Sequence, residues 1–168
     1  MRLLGSREVL ELTDLTANQL REWTVRRALI LPDVPAQKRG SEAKFSWQTV
    51  LVLRVAVVLR TRFHVELQAH RDLLVAARQL LDGASFPSLW NGTLVIHDFR
   101  RCELLLGRSG PGPDDDAVLL RLNRHLEVLS TGFGVLDPIA QLPLCPAVSL
   151  SGRESTDAVS HRVSGPQS

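Results

Sequence analysis

Cysteine is scarce in this chain. Its two cysteines, Cys102 and Cys145, stand far apart with no partner at metal-ligand spacing, so neither a zinc site nor a disulfide framework is indicated. No apolar run approaches the roughly 18 residues that a membrane-spanning helix needs. Met1-Arg2-Leu3-Leu4 lacks the apolar stretch and small-residue cleavage site of a signal peptide. The expectation is a cytoplasmic protein that does not enter a membrane. The histidines, His64, His70, His97, His125 and His161, do not cluster, and the spacing of the first two is not that of one helical face. Gly132-Phe133-Gly134 lacks the third glycine of a nucleotide-binding turn. With no Ser-His-Asp or paired-carboxylate arrangement, no enzyme, cofactor or metal is expected.

What is present is an uneven distribution of charge. Among 168 residues, positions 1–80 carry 13 Arg and Lys against 8 Asp and Glu, and positions 81–168 carry 7 against 10. The first half is therefore the candidate for an anionic partner. Hydrophobic residues make up 44% of the chain, enough for a core.

Helical patterns fill that basic half. Ser6 can cap a short helix over 7–12, and Asp14 sits in a turn that favours a left-handed residue. Thr16-Ala17-Asn18-Gln19 fits a capping box opening a second helix, with Leu15, Leu20 and Trp23 on its apolar face. Pro32 ends that pattern. Residues 33–44, "DVPAQKRGSEAK", read as a polar hairpin loop between extended pieces at 29–31 and 44–45. Ser46 caps a third helix over 47–61, apolar on most sides and so central. A fourth runs over about 64–81 and stops at Asp82-Gly83. "TLVIHDFRRCELLLG", residues 93–107, predicts a hairpin turning near Asp98. Residues 117–129 place Val118, Leu119, Leu122, Leu126 and Leu129 on one helical stripe, behind Asp114-Asp115-Asp116. The same letters also fit two strands turning at Asn123-Arg124. Cys102 reads as a small buried residue, and the Ser- and Gly-rich tail from 151 as disordered.

In this order and spacing, Ser6 to Leu81 resembles the MerR-type winged-helix DNA-binding domain. The recognition stretch is "LTDLTANQLREW", the exit is Ala28-Leu29-Ile30-Leu31-Pro32, and the basic wing is "QKRGSEAKF". "SWQTVLVLRVAVVLR" and "FHVELQAHRDLL" stand where the family's next two helices begin. The match covers slightly less than half the chain. Glu22 replaces the first aromatic after Leu-Arg, the wing's usual Gly-Tyr-Arg is absent with Phe45 nearest to it, and helix four ends near Gly83 instead of continuing as a long dimerisation helix.

The resemblance implies double-stranded DNA as partner, bound by a homodimer; it specifies no effector. Arg21 would meet a phosphate or a guanine edge. Thr16, Asn18 and Gln19 would face a phosphate from the helix start. Arg26 would add flanking charge, and Lys38, Arg39 and Lys44 would reach the backbone from the wing. The bland alternatives are a helix cap for Thr16, solvated cations for Arg21, Lys38, Arg39 and Lys44, and core filling for Trp23. The expected architecture is mainly α: a winged helix-turn-helix over 1–82, a small α/β or β-rich appendage over 84–150, and a disordered tail over 151–168. A protein-interaction adaptor that keeps the scaffold without DNA affinity is the rival expectation.

Overall fold

The computed structural model describes residues 2–38, 40–107 and 116–135. It is a mixed α/β protein, about 52% helical, with small antiparallel sheets. Its expected tail over 151–168 and the residues Arg39, Asp114 and Asp115 lie outside the described residues.

Strand β1 (Leu4–Gly5) leads directly into helix α1 (Ser6–Thr13). The expected cap, Ser6, is instead the first helical residue, and Gly5 takes the cap position in an extended conformation. Two carboxylates replace a hydroxyl cap: Glu8 Oε2 accepts from Gly5 N at 2.9 Å, and Glu42 Oε1 accepts from Ser6 N. Negative charge is favourable at this helix end, where backbone N–H groups are unpaired. Asp14 turns the chain with φ 58°, in the left-handed conformation expected of it.

Helix α2 (Ala17–Arg21) opens with the expected capping box. Thr16 Oγ1 accepts from Gln19 N at 3.2 Å, and Gln19 Oε1 accepts from Thr16 N at 2.9 Å. The helix widens into one π-helical turn over Glu22–Arg26. Leu15, Leu20 and Trp23 are buried, so the core reading of Trp23 holds, and the Arg60 guanidinium lies 5.8 Å from its ring centroid. Leu29 N and Ile30 N both donate to Trp23 O, so this stretch closes the helix end and is not the extended hairpin arm expected at 29–31. Two buried apolar side chains are drawn inward there before Pro32 redirects the chain. Strand β2 (Lys44–Phe45) pairs with β1, and Val34 makes a bridge to Lys44.

Helix α3 (Trp47–Arg62) is the centre of the molecule. Ser46 accepts from Thr49 N, as a capping residue should. Its five valines would suit a strand, yet Val50, Leu51, Leu53, Ala56 and Leu59 are fully buried in a helix. Burial on several sides overrides local preference here. The expected fourth helix is shorter than 64–81. His64 has φ 54°, a 3-10 turn occupies Leu67–His70, and α4 spans Arg71–Asp82.

Strands β3 (Thr93–His97), β4 (Arg101–Leu105) and β5 (Val118–Arg121) form an antiparallel sheet in the order β4-β3-β5. The hairpin turns at Asp98 and Phe99, both at φ 52°. Leu94 lies opposite Leu104 and Leu120, and Ile96 opposite Cys102 and Val118, which gives one apolar face. The segment 117–129 resolves into both alternatives in succession, a strand to Arg121 and then helix α5 (Asn123–Phe133).

Helix α5 packs on α1 and α3, and α4 packs on β4. Leu126, Leu129 and Phe133 belong to the same buried cluster as Leu4, Val9 and Leu51. A Cβ at Gly132 would overlap the Leu12 side chain, so α5 approaches α1 where it has none. The division expected at 82–84 therefore runs through one continuous core.

Candidate nucleic-acid interface

Thr16, Asn18 and Arg21 are exposed on α2, the helix that leaves the three-residue turn after α1. Arg21 makes no ion pair among the described residues. Thr16 and Gln19 spend their side-chain oxygens on each other's cap, which leaves the Gln19 amide group as a donor. Lys38 is exposed at a tight turn closed by Ser41 N donating to Lys38 O at 2.9 Å, with Gly40 at φ 94°. A side chain would be strained at Gly40, so glycine fixes this tip.

Lys44 and Arg26 are partly neutralised. Lys44 lies in β2, the extended piece expected at 44–45, and its Nζ lies 3.2 Å from Glu42. Arg26 lies 3.5 Å from Glu22, and Arg27 lies 2.7 Å from the same carboxylate. Hydrogen bonding from Arg27 holds the Glu22 carboxyl below its usual range, as Lys44 does for Glu42. Both acids therefore stay charged beside the candidate surface. Between α2 and the 36–45 loop lies a cleft of about 380 Å³ lined mainly by apolar groups, including Leu20, Val25, Ala36 and Ala43. Arg21 also lines it.

Behind the loop, Asp33 anchors the polypeptide. Its carboxylate accepts from Ser46 N at 2.6 Å, Ser46 Oγ at 2.9 Å, Thr49 Oγ1 at 2.7 Å and Arg78 Nη2 at 3.0 Å. Burial pushes its pKa up, but these donors outweigh burial and hold it below the ordinary value. The arrangement ties the start of the loop to α3 and α4.

Sequence reading missed a second set of cations. Arg54, Arg62, Arg121 and Arg124 line a cleft of about 450 Å³ between the α1–α2 turn, the end of α3 and the start of α5. Arg54 was the visible signal, as the sole charge in the apolar interior of α3. The other three are scattered over 60 residues of sequence and meet through the fold. No protein-family model matches the chain, and no curated protein is significantly similar to it.

Proposed function

We propose that the protein is a DNA-binding transcriptional regulator of the winged helix-turn-helix type, and that it binds as a homodimer. The observation that carries this reading is the exposed α2 face. Thr16, Asn18 and Arg21 lie on a capped helix, joined to α1 by a left-handed turn, with Lys38 on the adjacent loop. An exposed helix of this kind fits the major groove, where its first residues meet base edges and phosphates. The β2-anchored loop would serve as the wing. Winged helices commonly read two half-sites as a symmetric pair, which supports the dimer.

A second reading, a protein-interaction adaptor, draws on a different observation. Glu22 and Glu42 offset nearby cations, and the α2–loop cleft is mainly apolar. Such a cleft suits an apolar peptide side chain better than a phosphate.

Gel shifts with genomic fragments across a range of salt separate the two. The regulator binds at low salt and loses affinity steeply as salt rises, because each phosphate contact releases a counterion. Absent or salt-independent binding favours the adaptor.

A further inference from the structure

The cleft between the α1–α2 turn, the end of α3 and the start of α5 has the makings of a ligand site. Four guanidinium groups line it, from Arg54, Arg62, Arg121 and Arg124, against one carboxylate, that of Asp14. None of these arginines makes an ion pair among the described residues. Its lining is disjoint from that of the α2–loop cleft.

Arg54 and His125 organise its inner wall. Arg54 is half-buried, where a cation is costly, and the Asp14 carboxylate offsets that cost without forming an ion pair with it. Its Nη1 donates to Leu12 O and its Nε donates to His125 Nδ1 at 3.2 Å. His125 Nδ1 is thus an acceptor, which leaves the ring proton on Nε2 as a further donor. Burial, followed by the charges of Arg54, Arg124 and Arg62, pushes the His125 pKa down to about 4. Those three arginines therefore face one imidazole from α3 and α5, and the imidazole stays neutral at pH 7.

The floor is apolar. Val57 and Val58 are half-buried, while Phe63 and Leu119 are 44% and 52% exposed. Guanidinium forks match phosphate oxygens two at a time, and large apolar groups left in the open suit a flat organic body. The volume lies within the range of small-molecule pockets.

We propose that this cleft binds a small ligand of nucleotide chemistry, its di- or triphosphate on Arg54, Arg62, Arg121 and Arg124 and its base against Phe63 and Leu119. The site does not depend on DNA binding by α2. Because the cleft spans α3 and α5, a bound ligand would bridge two helices that already share the core.

Titration calorimetry of the full chain with ATP, inorganic pyrophosphate and adenosine tests it. ATP should bind more tightly than pyrophosphate, and adenosine should not bind. Arg62→Ala and Arg124→Ala should each weaken ATP by about tenfold or more, the loss of a charge-assisted hydrogen bond. Both side chains are exposed, so circular dichroism melts should be unchanged. Arg100→Ala, in the β3–β4 turn, should bind ATP as the parent does. Equal loss in Arg100→Ala would mean diffuse attraction and overturn the site. So would absence of ATP binding, or a pattern in which Arg62→Ala and Arg124→Ala impair only duplex DNA, which would make the cleft part of a nucleic-acid surface.

Discussion

Glu22 Oε1 accepts a hydrogen bond from Arg27 Nε at 2.7 Å, while Glu22 Oε2 lies 3.5 Å from Arg26 Nη1. One carboxylate thus engages two cations on the helix proposed to meet DNA. Glu22→Gln should release Arg26, leave Arg27 with only the Glu66 carboxylate 3.8 Å from its Nη1, and remove a charge that repels phosphate. DNA affinity should rise, and the salt dependence should steepen by up to about 2 units of slope. Salt-titrated gel shifts read both effects. Unchanged affinity with an unchanged slope would place Arg26 and Arg27 away from the nucleic acid.

Arg21 and Lys38 should separate by kind of contact. If Arg21 meets a base edge, Arg21→Ala should cost about 1–3 kcal/mol and relax preference at one position of the site. Lys38→Ala should weaken all sequences alike and reduce the salt slope by about 1. Neither exposed change should shift stability by more than about 0.5 kcal/mol. Binding curves on specific and scrambled duplexes, with melts as control, check this. Parental affinity in both variants would show that α2 and its neighbouring loop are not the binding surface.

Local signals were legible in the sequence where one short segment carried both the cause and its effect. Thr16 and Gln19 cap each other across three residues, Asp14 bends its own turn, and Ser46 caps the helix it precedes. Readings failed where a distant partner decides. Glu42 reaches Ser6 across 36 residues and takes over the capping expected of the Ser6 hydroxyl. Residues 117–129 have apolar groups that satisfy either period, and pairing with β3 settles the first half as strand. The anion cleft joins residues from α3, β5 and α5, so no single window of sequence displays it.

Asp33 should matter more for stability than its loop position suggests. Asp33→Ala leaves Ser46 N and Oγ, Thr49 Oγ1 and Arg78 without a shared acceptor. Losing a charged hydrogen-bond acceptor of this kind costs about 1.5–3 kcal/mol. Urea unfolding monitored by tryptophan fluorescence measures it. A change below about 0.5 kcal/mol would mean that water replaces the carboxylate without penalty.

The continuity of the core predicts a failure of truncation. A fragment ending at residue 82 removes Leu126, Leu129 and Phe133 from the buried cluster shared with α1 and α3. It should melt without a cooperative transition. Gly132→Phe in the full chain should also destabilise, by about 1–3 kcal/mol, because the ring must displace Leu12 at a packed contact. Cooperative unfolding of the fragment at the parental temperature would show that α5 is dispensable.

His125 should make the fold sensitive to mild acid. Its pKa is pushed down to about 4 by burial and then by Arg54, Arg124 and Arg62. In the unfolded chain the same ring takes up its proton near the ordinary histidine value of about 6.5. Between these values the unfolded state binds the proton and the folded state does not, so folding loses stability as pH falls. The contribution is fully present above about 6.5 and is lost on the way to about 4. Because the ring is only partly buried, the loss should amount to no more than about 2 kcal/mol. Asp33, Glu22 and Glu42, whose pKa values are lowered, add a loss of the same sign at lower pH, as they must be protonated when the chain unfolds. His125→Asn keeps a short polar group beside Arg54 and removes the titration. Its stability should vary less than the parent's between about pH 6.5 and 4 while the decline below that range persists. Parallel curves for parent and variant across the upper window would show that the ring titrates at the same pH in both states, contrary to its burial among three arginines.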